Sequence, residues 1–214
     1  MSTGSLSAAA LQYFESKGIQ FILDEAMHNL VLEMPEDPLA FLENAFRRPT
    51  PVRVILTGSC GSGKTTLATK IAAHYGIAHV AAPAAAAQDA DVPTGVLMKL
   101  GCLQKEGKGW VLDGFPQTRA DVIQLQTSGI SPQLVFELQV PLEVAVARVT
   151  AAATDAPNHL QDATAIAKSN ALYNVRRIEI INCYKPCYRG IDATRPADEV
   201  AADVVKAIDA LHLL

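Results

Sequence analysis

The chain has 214 residues, 18 basic against 22 acidic side chains, a net charge of -4, 50% apolar residues and 19% charged ones. This composition excludes disorder over the whole length and allows one packed domain with an appendage. A mildly acidic chain is no general nucleic-acid binder, because neutralising phosphates takes a basic surface.

The first elements read as helices. Ile19, Ile22, Leu23, Ala26, Leu30 and Val31 recur at steps of three and four, which places them on one face. Met34-Pro35 stops that helix, and Asp37 is a helix cap with Pro38 at the first helical position. Leu39, Leu42, Ala45 and Phe46 form the stripe of a second helix. Two short amphipathic helices cannot bury their stripes alone. They pack either on the main domain or on another copy of themselves. Arg47 to Pro51 (RRPTP) then reads as a linker, since its prolines cannot continue a helix.

Beyond the linker, strand and helix patterns alternate. Val52 to Thr57 is an apolar, β-branched strand, Gly58 to Thr66 a glycine-rich turn, and Lys64 to Tyr75 a helix. Ala78 to Ala81 is a short strand, and Ala81 to Pro93 a low-complexity bridge. Helices follow over Thr94 to Lys105, Gln117 to Ser128, Pro141 to Ala153, Asp162 to Tyr184 and Pro196 to Leu213. The strands between them are Gly109 to Asp113, Leu134 to Val140 and Arg189 to Ala193. This order predicts an α/β fold, a five-stranded parallel sheet with helices on both faces, preceded by a two-helix hairpin. No apolar run approaches the roughly 20 residues of a membrane span. The first residues lack the pattern of a signal peptide, so a cytoplasmic protein without a membrane partner is expected. Cys60, Cys102, Cys183 and Cys187 then read as reduced thiols, with Cys183 and Cys187 as apolar packing.

Gly58-Ser59-Cys60-Gly61-Ser62-Gly63-Lys64-Thr65 fits the pattern G-x-x-x-x-G-K-[ST], placed between a buried strand and a helix. The glycines let backbone N–H groups converge on phosphate oxygens, and the following helix offers its positive end. Lys64 suits the β- and γ-phosphates, and the Thr65 hydroxyl suits Mg²⁺. Trp110-Val111-Leu112-Asp113 ends an apolar strand on a carboxylate. Asp113 is either a strand-end cap or, beside the phosphate loop, a group that orders the Mg²⁺ waters. A fold of the P-loop NTPase type and the cofactors ATP and Mg²⁺ follow.

Gly58 to Thr66 (GSCGSGKTT), together with Gly109 to Arg119 (GWVLDGFPQTR), resembles the adenylate kinase family of nucleoside-monophosphate kinases. The resemblance spans about residues 52 to 213. It implies nucleotide-binding roles for Gly58 through Thr66 and catalytic roles for Lys64 and Asp113. Val140 to Arg148 resembles the family's strand and helix that carry an adenine-stacking arginine. Asp192 to Pro196, which includes Arg195, resembles the stretch whose backbone borders the adenine. Arg148 alone reads equally well as a solvated helix residue.

The departures from the family pattern are specific. Cys60 stands at its proline and Thr65 at a glycine. Gln117 replaces the arginine after DGFP that holds the acceptor phosphate, with Arg119 two residues on, and Asp121 replaces the glutamine that reads the acceptor base. Ala81 to Pro93 stands where the family has acceptor-binding helices, and Ala151 to Leu160 where it has a lid; neither contains arginine. Ser169 stands at a further arginine position on the long helix, with Arg176 and Arg177 two turns further along. Phosphoryl transfer depends on positioning and charge neutralisation, so a chain without these clamps should transfer little.

Tyr13 to Arg48 resembles the dimerization/docking hairpin of protein kinase A regulatory subunits, in its helix, its Pro35-Glu36-Asp37-Pro38 turn and its Phe41-Leu42. The resemblance implies a homo- or heterodimer through Ile19, Ile22, Leu23, Ala26, Leu30, Leu39, Leu42 and Phe46, with a groove for the amphipathic helix of a scaffold protein. A hairpin of this kind on an adenylate-kinase-like domain resembles kinase subunits of cilia and flagella, which implies an axonemal location. The expectation is an ATP-Mg-binding subunit of a larger assembly, with weak or absent phosphoryl transfer. Its alternatives are a working nucleoside-monophosphate kinase and a kinase of another small acceptor.

Overall fold

A computed structural model describes residues 7, 10, 13, 19–47, 51–82, 94–152 and 163–211. Most of the Ala81 to Pro93 bridge and of the Ala151 to Leu160 segment lies outside these residues.

The hairpin comprises α1 (Ile19–Glu33) and α2 (Pro38–Arg47). The Asp37 carboxylate accepts hydrogen bonds from the Leu39 and Ala40 N–H groups at 3.1 and 3.0 Å, which is the expected cap. The remaining elements are β1 (Arg53–Gly58), α3 (Lys64–Tyr75), β2 (Ala78–Ala81), α4 (Thr94–Lys105), β3 (Trp110–Asp113), α5 (Arg119–Thr127), β4 (Leu134–Gln139), α6 (Leu142–Ala152), α7 (Ala163–Cys183), β5 (Tyr188–Asp192) and α8 (Ala197–Asp209). Each expected element is present, with its ends shifted by a few residues at most. The largest shift at a helix start, from Gln117 to Arg119, has a local cause. Thr118 and Asp121 form a capping box, in which the Thr118 hydroxyl accepts from the Asp121 N–H at 3.2 Å and the Asp121 carboxylate accepts from the Thr118 N–H at 2.9 Å.

The five strands run parallel in the order β2-β3-β1-β4-β5. Period-two alternation divides the core into two layers. On one face Val54, Leu56, Val111 and Phe136 pack with Leu67 and Ile71 of α3 and Val200, Val204 and Ile208 of α8. On the other Ile55, Leu112 and Val135 pack with Leu100 of α4, Val122 and Leu125 of α5, and Ile180 of α7. Strand order reverses at β1, which lies between β3 and β4. That reversal opens a crevice beyond its carboxyl end, where α/β sheets bind ligands.

The hairpin seats on the main domain at the opposite end of β1. Glu25 of α1 forms an ion pair with Arg53, whose side chain is 2% exposed. Ala26 is buried. The His28 ring covers Gly129, which has φ +71°, and a Cβ there would run into the imidazole. The apolar stripe is only partly used by this contact. Ile19, Ile22, Leu30 and Leu42 are half-buried, whereas Leu23, Leu39 and Phe46 are exposed, together with Met27, Val31 and Leu32. A cleft of about 1050 Å³ lies between the hairpin and residues 104–107 and 128–130.

No helix among the described residues is long and apolar enough to cross a membrane. The four cysteines are free thiols. Cys183 and Cys187 pack against the second core layer, as expected, and burial pushes the Cys187 thiol up to about 11.

Candidate nucleotide site

β1 delivers the chain into the crevice, and Gly58 to Gly63 turn it back into α3. Gly63 stands at the N-cap with no side-chain cap, so the first amides of α3 are left for a ligand to satisfy. The Lys64 amine curls over the loop and donates to the carbonyl oxygens of Gly58 at 2.9 Å and Ser59 at 2.8 Å. Burial lowers its pKa below the ordinary 10.5, against the opposing pull of Asp113 and Cys60. These carbonyls are partners that phosphate oxygens can replace. The apex of the loop rests on α6: Gly61 has φ +80°, and a Cβ on it would meet the Ala145 carbonyl oxygen at 2.5 Å. Ser59 and Ser62 are buried, Cys60 is half-buried, and Thr66 is exposed in the first turn of α3.

The register Leu56↔Asp113 brings the end of β3 beside the loop. The Thr65 hydroxyl donates to Asp113 Oδ2 at 2.7 Å, and Asp113 is 4% exposed. A hydroxyl and a carboxylate held this close are the hard oxygen donors that suit Mg²⁺, either directly or through its waters. His79 Nε2 lies 3.4 Å from the same carboxylate oxygen. Sequence reasoning missed His79. Its signal was a polar residue inside the apolar stretch Ala78 to Ala81, paired with Val111 and so on the same face as Asp113.

The structure also brings together the two weaker nucleotide candidates. Arg148 of α6 donates to the Thr194 carbonyl oxygen at 3.2 Å. Arg195, beside it, pairs with Asp203 of α8 at 2.6 Å.

The residues after the DGFP turn contrast with the loop. The Gln117 amide turns back to the Gly114 carbonyl oxygen at 3.1 Å, and the Asp121 carboxylate is occupied by the Gln117 and Thr118 N–H groups at 2.9 Å each. Arg119 is exposed at the start of α5. Arg177 binds Glu137 at 2.9 Å. Glu137 is a hub that sequence reasoning did not find. At 1% exposure it accepts from the hydroxyls of Tyr173 at 2.7 Å and Tyr188 at 2.6 Å and from the Gln139 amide at 2.9 Å. Burial alone would raise its pKa. The hydrogen bonds from Gln139, Tyr188 and Tyr173 and the charge of Arg177 outweigh it and hold the carboxyl below its ordinary 4.5.

No family-level sequence profile matches the chain. Among curated relatives, human adenylate kinase 8 is 28% identical over 162 residues, covering 64% of this chain and 33% of the relative. Zebrafish (Danio rerio) adenylate kinase 8 is 29% identical over 64% of this chain and 32% of the relative. An adenylate kinase of Trypanosoma brucei rhodesiense is 22% identical over 67% of this chain and 80% of the relative. The chain thus spans about a third of the length of the two adenylate kinase 8 relatives. Sequence likeness, the phosphate loop with its DGFP turn, and the parallel sheet point one way: the chain is similar to adenylate kinases.

Proposed function

We propose that the chain binds ATP with Mg²⁺ through the phosphate loop and transfers phosphate weakly or not at all on its own. The observation that carries the reading is the meeting of Lys64, Thr65 and Asp113 at the carboxyl ends of β1 and β3. Lys64 would neutralise the β- and γ-phosphates, and Thr65 with Asp113 would hold the metal and its waters. Mg²⁺, when bound, would offset the charge of the phosphates. Arg148 and the Thr194-Arg195 backbone would border the base. Weak transfer is supported by where the cations go. Arg53, Arg177 and Arg195 are each paired with a carboxylate, and Gln117 stands where the family has a clamp.

The hairpin would dock the chain, as a homo- or heterodimer, onto an amphipathic helix of a scaffold protein. By its resemblance that scaffold belongs to a ciliary or flagellar axoneme, within the cytoplasm. The exposed Leu23, Leu39 and Phe46 support a surface that awaits a partner.

The alternative is a working nucleoside-monophosphate kinase that passes phosphate from ATP to AMP, a reading favoured by the names of the relatives. A coupled assay of ADP formation from ATP and AMP separates the two, with direct titration of ATP alongside. Lys64→Ala should weaken ATP binding at least about tenfold, or 1.4 kcal/mol. Turnover of roughly 1–10³ per second by the wild-type chain alone would establish the alternative. Unchanged ATP affinity in Lys64→Ala would remove the loop from the function.

A further inference from the structure

The phosphate loop is held from behind by a residue outside every motif. Asn170 of α7 is 5% exposed and faces Cys60 across the loop. The Cys60 N–H donates to Asn170 Oδ1 at 2.8 Å, and Asn170 Nδ2 donates to the Cys60 carbonyl oxygen at 3.4 Å. One side-chain amide thus engages both backbone polar groups of one loop residue.

Position 60 makes this contact informative. The family pattern stated above has proline there, which fixes φ and carries no N–H. Cysteine restores a donor and frees a backbone torsion, at the point where the chain must turn so that the next amides face a phosphate. An N–H left without a partner in a half-buried loop destabilises it, and a loosened peptide misaims the amides that follow. Asn170 answers both needs with the two ends of its amide. Ser59, Asn170 and Tyr173 also line one cleft of about 540 Å³.

We propose that Asn170 is a positioning residue of the phosphate loop, fixing the peptide of Cys60 in place of the rigidity that a proline would supply. The role rests on the nucleotide-binding reading only for its effect on affinity. The clamp itself is a property of the nucleotide-free chain.

Three variants test it: Asn170→Leu, Cys60→Pro and the two combined. Amide hydrogen exchange on the nucleotide-free chain is the first readout. Asn170→Leu should raise exchange in the Gly58 to Gly63 segment while β1 and the body of α3 keep their protection. Titration with Mg-ATP is the second, and Asn170→Leu should bind about tenfold more weakly. Cys60→Pro alone leaves the buried Asn170 Oδ1 without its donor and should lower thermal stability. In the Cys60→Pro background Asn170→Leu removes a group that has lost its donor, so the double variant should recover stability and bind Mg-ATP within about threefold of wild type. A purely structural asparagine would show additive losses, and additive losses would overturn the proposal. So would unchanged exchange in Asn170→Leu. If wild type failed to bind Mg-ATP, the nucleotide reading would fall, and exchange and the stability rescue would still decide the clamp.

Discussion

Glu137 shows how one buried carboxylate carries a pH dependence. Its folded pKa is depressed, so its contribution to stability is complete above the unfolded value, near 4.5, and is lost as pH falls through the folded value. Removing a donor raises the folded pKa toward the ordinary one. Tyr188→Phe should therefore shift the midpoint of acid unfolding to higher pH and cost about 1–2 kcal/mol near neutrality. Circular dichroism across an acid titration of the two proteins reads both effects, and coincident midpoints would contradict the network. This hub was illegible in sequence because its members, Glu137, Tyr173, Arg177 and Tyr188, are spread over two strands and a helix with no spacing rule. Lys64, Thr65 and Asp113 were legible because phosphate chemistry fixes their spacing or their place at a strand end. His79 and Asn170 fall between these cases. His79 is a polar residue in an apolar stretch and Asn170 one of several polar residues on its helix, and only pairing or packing shows what each faces.

At the scale of elements, the strands and helices of the sheet domain follow their periodicity, and the caps at Asp37 and Thr118 fix where two helices begin. The hairpin was only half legible. A stripe at steps of three and four has the same spacing whether it meets its own domain or a second chain. The fold buries part of the stripe and leaves part exposed: Ala26 is buried, while Leu23 is 39% exposed. This division changes how self-association is best tested. Deleting residues 1 to 50 takes Glu25 away from buried Arg53, and breaking a buried ion pair costs about 3–5 kcal/mol. Monomers produced that way would report damage as readily as a lost interface. Leu23→Glu is cleaner. In a single chain it is a surface change, expected within about 0.5 kcal/mol of wild type in urea unfolding. In a dimer built on the stripe it buries a charge. Sedimentation should show Leu23→Glu as a monomer under conditions where wild type dimerises, and an unchanged oligomeric state would remove this face from the interface.

For the whole molecule, the parallel sheet and its central phosphate loop follow from alternation and one motif, whereas two segments differ from the adenylate kinase pattern by what their sequence lacks. Ala81 to Pro93 and Ala151 to Leu160 contain no arginine to clamp an acceptor. Mg-ATP should accordingly raise the melting temperature by linkage, and AMP added at saturating Mg-ATP should raise it no further. An additional AMP-dependent rise in a thermal titration would show an acceptor site formed by other residues. The central strand has one more consequence. Arg53 at its beginning holds the hairpin, and Gly58 at its end opens the phosphate loop. If the hairpin is tethered and the rest of the domain is pulled away, the load runs lengthwise along β1. Its neighbours β3 and β4 run parallel on both sides, with hydrogen bonds lying across the direction of pull. The two rows must then shear together instead of parting one bond at a time, which makes β1 a tension member between anchor and loop.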